Sequence, residues 1–322
     1  MTFRSKSLSV AALAGALILG VSACASPGGA AAAGQSSGTD TVDVVASTSA
    51  YGSIVQAIGG DKVKVESIVS KVSQDPHSYE ATAQDRLKVS KAKLVVVNGG
   101  GYDTFMDGMV SEAKLDPANV INAVTVSGLQ DATPTAAADD HGHSHGEFNE
   151  HVWYDFPAMQ KVATVVEQRL AALAPASAAE FKHNAEAFTA RLTSLQKDAA
   201  AAAGGKHVHV AITEPVPLYL LEAAGLHNVT PEEFSVAVEE GHDVPASVLD
   251  STLKLFSTKK AALLAYNEQT SGPQTEAVRK AAEAAGAPVV SFTETLPDGK
   301  DYLGWMNENV HNLQQALKTV QG

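Results

Sequence analysis

Apolar residues recur along this chain in two rhythms, and the rhythms alternate. Val42, Val44 and Val45 open a strand, residues 51–58 carry a helical spacing closed by Gly59-Gly60, and residues 63–69 form a second strand. A short helix over 85–92 and an apolar strand over 94–97, ending at Asn98-Gly99, complete the run. Strand, helix, strand, helix, strand is the pattern of a parallel sheet with crossover helices. Two helical stripes follow at mid-chain. Phe156, Met159, Val162, Val166, Leu170 and Leu173 lie on the first, which Pro175 ends. Phe181, Ala185, Phe188, Leu192, Leu195 and Ala199 lie on the second. Ser177 and Glu180 are spaced as a capping box at its start, and Gly204-Gly205 stands at its end. The first rhythm then returns, with strands at 207–213, 261–266 and 288–292, helices at 218–224 and 275–285, and a closing helix over 302–320. The pattern predicts an α/β protein of two lobes, residues 41–175 and 205–322, flanking a long connecting helix over 176–204. Ligands of α/β folds lie beyond the carboxyl ends of strands, so chemistry is sought there.

The first forty residues break the pattern. Arg4 and Lys6 precede an apolar run over 8–21 that is too short and too rich in Ala and Gly for a membrane-spanning helix. Residues 1–23 therefore read as a secretory signal. Val21-Ser22-Ala23-Cys24 resembles a bacterial lipobox, in which the cysteine is acylated and becomes the first mature residue. Residues 24–40, mostly Ala, Gly, Ser and Pro, read as a flexible tether. Composition adds two constraints. A net charge of −13 on 322 residues opposes nucleic acid or an anionic membrane surface as partner. Cys24 is the only cysteine. With it used as an anchor, any metal site must be built from imidazole nitrogen and carboxylate oxygen. The chain has no Gly-x-x-x-x-Gly-Lys-Ser/Thr loop and no second apolar span, so it reads as neither an ATPase nor a permease.

Four residues near strand or helix ends could carry chemistry. His77 sits in Asp75-Pro76-His77-Ser78-Tyr79-Glu80 after the second strand, where Pro76 stiffens the approach. His151 sits in Asn149-Glu150-His151-Val152-Trp153 just before a helix. Glu214 follows the strand over 207–213, with Pro215 and Pro217 behind it, and Glu294 follows the strand over 288–292. Singly these are a loop histidine, a packing histidine and two solvated carboxylates. Together they would carry a charge of about −2, which offsets a divalent cation and lets it be buried in a low dielectric. Elsewhere, His141, His143 and His145 lie beside Asp139 and Asp140 in a polar loop over 139–146. Alternate histidines of this kind chelate a borderline-soft cation loosely. His207 and His209 alternate on a strand and read as packing or edge residues. His183 and His311 read as solvated helix positions, and His242, in Glu239-Glu240-Gly241-His242-Asp243, as a turn residue with at most a weak surface site.

The motifs Asp75-Pro76-His77-Ser78-Tyr79-Glu80, Val96-Val97-Asn98-Gly99, His151-Val152-Trp153, Tyr219-Leu220 with Gly225-Leu226, and Glu294-Thr295-Leu296-Pro297 appear in one order from Thr41 onward. In this the chain resembles the metal-binding receptors of ABC importers, the ZnuA/TroA-like family of zinc, manganese and iron binding lipoproteins. The resemblance implies two α/β lobes joined by one rigid helix, which limits hinge opening, with the metal in the cleft between them. It places ligands at His77 and His151, a third at Glu214, where zinc members often carry His and manganese members Glu, and a fourth at Glu294, where the family usually has Asp. It also implies an extracytoplasmic monomer held to the membrane by a lipid at Cys24 and feeding a permease and its ATPase. Zinc is the expected ion, since it binds more tightly than manganese in a given N/O site and the His-rich loop favours it. Manganese or iron is the alternative. A secreted metalloenzyme or an adhesin are the rival readings; no His-Glu-x-x-His helix is present for the former.

Overall fold

The computed structural model describes residues 41–132 and 148–321. The segments expected to form a leader and a tether with Cys24, and His141, His143 and His145, lie outside the described residues.

The first lobe runs β1 (Val42–Thr48), α1 (Ser49–Gly59), β2 (Val63–Val69), α2 (Ala83–Lys91), β3 (Leu94–Val97), α3 (Phe105–Ala113), β4 (Val120–Asn122), α4 (Ala123–Ser127) and α5 (Leu129–Ala132). Its four strands are parallel in the order β2-β1-β3-β4. All four residues of β3, and every residue of β1 except Asp43, are buried, because helices cover both faces of a parallel sheet. Gly60 ends α1 with φ at 56°, a left-handed turn that a side chain would strain.

Two long helices follow, α6 (Phe156–Leu173) and α7 (Ala178–Ala200). The second lobe then runs β5 (Val208–Ile212), α8 (Leu218–Ala223), β6 (Leu226–Asn228), α9 (Glu232–Glu239), α10 (Ala246–Ser257), β7 (Leu264–Asn267), α11 (Pro273–Ala284), β8 (Val289–Phe292) and α12 (Tyr302–Gln321). Its strands are again parallel, in the order β6-β5-β7-β8. The protein is thus two parallel-sheet α/β lobes with α7 between them in the chain. That helix packs on α1 and α6 from the first lobe and on α8 and α12 from the second. Its buried stripe, Phe181, Ala185, Phe188, Leu192, Leu195 and Ala199, is the one expected from the sequence. One buried cluster runs through both lobes, from Ile54 and Val96 across Leu192 to Phe292 and Trp305.

Three departures from the sequence pattern have local causes. β4 and β6 are three residues each, too short to show a period of two. α3, α9 and α10 were not expected, although each packs an apolar side, with Met106, Phe234 and Phe256 among the buried residues. The Ser177–Glu180 capping box does not form. Residues 175–177 make a tight 3-10 turn running straight into α7, so Ser177 has φ −104° and ψ 6° and makes no side-chain cap. A capping side chain needs an extended backbone to reach the next turn.

Candidate metal centre

His77 stands on the segment after β2, and the residues before it fix its approach. The Asp75 carboxylate accepts from the His77 backbone N–H at 2.9 Å and from the Ser78 hydroxyl at 2.7 Å. The ring then meets Tyr102 edge-on, with centroids 4.8 Å apart, and lies 6.1 Å from the ring of His151.

His151 immediately precedes the short turn Val152–Tyr154 that leads into α6. Asn149 Oδ1 lies 2.7 Å from His151 Nδ1 and also accepts from the His151 backbone N–H at 3.1 Å. The Asn149 amide nitrogen donates to the Pro215 carbonyl, so its oxygen is the atom that faces the ring. An acceptor at Nδ1 places the ring proton there and leaves the Nε2 lone pair directed into the cleft, as a metal-ligating histidine requires. Burial, with His77 nearby, holds the His151 pKa well below the usual histidine value. Burial also lowers His77, while Asp75 works against the shift. Both imidazoles are therefore neutral near pH 7, the form that coordinates.

The second lobe supplies carboxylates. Glu214 follows β5 and Glu294 follows β8, each at a strand's carboxyl end, and each is about as buried as core apolar residues, at 2% and 1% exposure. Asn267, the last residue of β7, donates through its side chain to Glu214 and, at 2.9 Å, to Glu294. Thr270 donates to the other oxygen of Glu214, and Tyr102 to the other oxygen of Glu294 at 3.1 Å. Gln269 anchors the Glu294 backbone by accepting from its N–H at 2.6 Å. Burial pushes the Glu214 carboxyl up to about 7, even against the Thr270 and Asn267 hydrogen bonds. Burial, reinforced by the neighbouring Glu214, pushes Glu294 up to about 8. Two acids so placed resist ionisation until a cation arrives.

The lobes meet where these groups face. His77 Nε2 lies 4.0 Å from Glu294 Oε2 and 4.0 Å from Glu150 Oε1. Glu214 joins through Asn267 rather than by direct contact with a histidine. Donors bound at 2.0–2.1 Å to a tetrahedral ion sit about 3.3 Å apart, so His77 and Glu294, at 4.0 Å, are a sub-ångström shift from sharing one ion. The donor set of nitrogen and carboxylate oxygen fits a divalent transition metal.

One residue was passed over in the sequence. Glu239 Oε1 lies 3.7 Å from His151 Nε2. His77, His151 and Glu239 each offer an atom within 4.8 Å of the others, the one such triplet among the described residues. Its only signal in the chain is the acidic pair of Glu239-Glu240-Gly241-His242, in which nothing marks one glutamate over the other. His242 is instead 70% exposed and pairs with Glu240 at 3.0 Å. His207 and His209 are also exposed, and the ring of His207 stacks on that of His227 on the neighbouring strand. A cavity of about 650 Å³ opens beside the triplet, with Asp75, Glu150, Glu232 and Glu240 among its lining residues.

Comparison with known proteins gives one consistent picture. The chain is 25% identical over 320 residues to the manganese ABC transporter substrate-binding lipoprotein scaA of Streptococcus gordonii, spanning 93% of this chain and 95% of that one. It is 26% identical over 297 residues to the iron ABC transporter substrate-binding lipoprotein MtsA of Streptococcus pyogenes, spanning 87% and 90%. The fold matches the periplasmic zinc binding protein TroA from Treponema pallidum with a TM-score of 0.67 at 21% identity, over 86% of this chain and 99% of that one. It matches the Mn²⁺ complex of FpvC from Pseudomonas aeruginosa at 0.68 and 23%, over 88% and 100%. The family described as ZnuA, zinc-uptake complex component A, periplasmic, matches residues 44–316, nearly the whole of the two lobes, and the chain belongs to that family.

Proposed function

We propose that this protein is the extracytoplasmic binding component of an ABC importer for a divalent transition metal, with zinc as its cargo. The observation that carries the reading is the placement of the neutral His77 ring 4.0 Å from the buried carboxylate of Glu294, which shares Asn267 with the buried Glu214, beside the second neutral imidazole of His151. In this reading an arriving M²⁺ takes the Nε2 lone pair of His151, the ring of His77 and the two carboxylates as they ionise. The charge of the filled site is then near zero, which removes most of the penalty of burying an ion. Asn267, Thr270 and Tyr102 hold the two carboxylates beside each other before the ion arrives. Four protein donors would close a tetrahedral shell and leave no position for a reacting water, which suits carriage rather than catalysis.

Zinc is favoured by the divalent affinity order and by the imidazole pair. Manganese or iron is the second reading. It is supported by the carboxylates, which raise the coordination number if they bind through both oxygens, and by the similarity to manganese and iron ABC transporter lipoproteins of streptococci. Delivery would be to a permease and its ATPase, with the monomeric chain held outside the membrane by lipid on Cys24. Among the described residues no helix is long and apolar enough to cross a membrane. Metal analysis of protein purified without chelator tests the site. Growth of a deletion strain tests the cargo: repair by low zinc is expected, and repair by manganese but not zinc would reassign it.

A further inference from the structure

We propose that Glu239 is the third ligand of a loading state, in which an incoming ion first binds His77, His151 and Glu239 and then exchanges Glu239 for Glu214 and Glu294. The inference rests on the metal-receptor reading above and adds a route into the site.

Four observations converge. The donor atoms of His77, His151 and Glu239 already lie within 4.8 Å of one another, closely enough to share one ion after small rotations. Position along the approach is the second. Glu239 is 17% exposed and lines the acidic cavity, whereas Glu294 and Glu214, at 1% and 2% exposure, do not line it. An ion drawn in by Asp75, Glu150, Glu232 and Glu240 therefore meets Glu239 before it meets either strand-end carboxylate.

The third observation is engagement. Both oxygens of Glu214 accept from Thr270 and Asn267, and both oxygens of Glu294 accept from Asn267 and Tyr102. These groups must reorient or share their hydrogen bonds before they coordinate, and a carboxylate at the cavity wall can hold the ion meanwhile. The fourth is the placement of Glu239 as the last residue of α9, which Phe234 pins to the lobe. A carboxylate at a helix C-terminus faces the negative pole of the helix dipole, so a divalent cation there is attracted by both. Three protein donors leave one position for water. That position is where Glu294, 4.0 Å from His77 Nε2, enters as Glu239 leaves.

Stopped-flow zinc binding to the full mature chain tests the exchange. The variants are Glu239→Gln, which keeps the shape and removes the charge, and Glu233→Gln, which removes one exposed charge from the same helix away from the cavity. For Glu239→Gln the association and dissociation rates should both fall about tenfold, with the equilibrium constant within about threefold of wild type. For Glu233→Gln the association rate should stay within about twofold. An unchanged association rate in Glu239→Gln overturns the inference. So does an equal slowing in Glu233→Gln, which would mean only a general field. Weakened equilibrium binding with a normal association rate also overturns it, since Glu239 would then be a permanent ligand. Failure of the wild-type chain to bind zinc takes down the receptor reading, and this inference with it.

Discussion

The two lobes share one architecture and contribute opposite chemistry. Their strand orders, β2-β1-β3-β4 and β6-β5-β7-β8, are the same topology written twice. In the first lobe the candidate donors are neutral imidazoles on connecting segments, His77 after β2 and His151 before α6. In the second they are carboxylates set directly at the ends of β5 and β8 and tied together by Asn267 at the end of β7. A repeated scaffold thus offers two rims, and what distinguishes them is where charge resides. The first rim can be buried empty without penalty from charge. The second carries two acids whose ionised form is unfavourable until a cation lies between the lobes.

The comparison is broken most directly from the first lobe. The double substitution His77→Ala, His151→Ala should weaken zinc binding by orders of magnitude, about 10³-fold or more by calorimetry, because two nitrogen donors are lost. Wild-type affinity in that variant would place the site elsewhere. Asn149→Ala should have the next largest effect. Asn149 sets the His151 tautomer and also bonds the Pro215 carbonyl of the second lobe, so it couples the two rims. Its loss should weaken binding about 10- to 100-fold, as for other partners of metal-ligating histidines.

Removing charge from the second rim should act on the empty and filled proteins in opposite directions. Glu294→Gln should weaken metal binding and yet raise the melting temperature of the metal-free protein above pH 8. The carboxyl's folded pKa is raised from 4.5 to about 8, so its contribution to stability is full below about 4.5 and lost as pH rises through 8. An amide has nothing to ionise, and the variant should keep its stability where the wild type loses some. A melting temperature that falls at every pH in the variant would contradict this. Histidine contributions run the other way, since lowered folded values favour the fold above about 6.5 and fade in acid.

Proton counting is the finest test of the difference between the rims. Near pH 6 Glu214 and Glu294 hold protons in the empty protein, and metal uptake should release about two. At pH 9 the release should approach zero, because both acids have already ionised and both imidazoles are already neutral. Calorimetry in buffers of different ionisation enthalpy reads this number. A release that persists at pH 9 would mean that the protons come from other groups.

Much of the fold was legible because burial imposes period. β3 and α6 match the expected residues because each carries a continuous or regularly spaced apolar run, and β2 fills the expected 63–69 through its β-branched residues although their spacing is irregular. Short or turn-like segments were not legible. β4 and β6 are defined by pairing with β3 and β5 rather than by their own composition. The capping box at Ser177 failed because the backbone conformation upstream, rather than the residue types, decides whether a cap can form. In the candidate site, His77, His151, Glu214 and Glu294 could be singled out because the motifs around them resemble those of a known family, and Glu214 and Glu294 also follow strand ends. Tyr102, Asn267 and Thr270, which hold the carboxylates, could not. They are ordinary polar residues until the chain brings them within hydrogen-bond distance of a buried acid.

Two lobes, a connecting helix and the residue types available for a metal can be read along the chain, because periodicity and the absence of a second cysteine are local facts. Only the tertiary structure decided which acids face which imidazoles. Glu239 and Glu240 are adjacent and chemically identical, and no pattern in the chain separates them. Successive residues on a helix point about 100° apart. The docking of α9 through Phe234 directs Glu239 at His151 and leaves Glu240 to pair with the exposed His242.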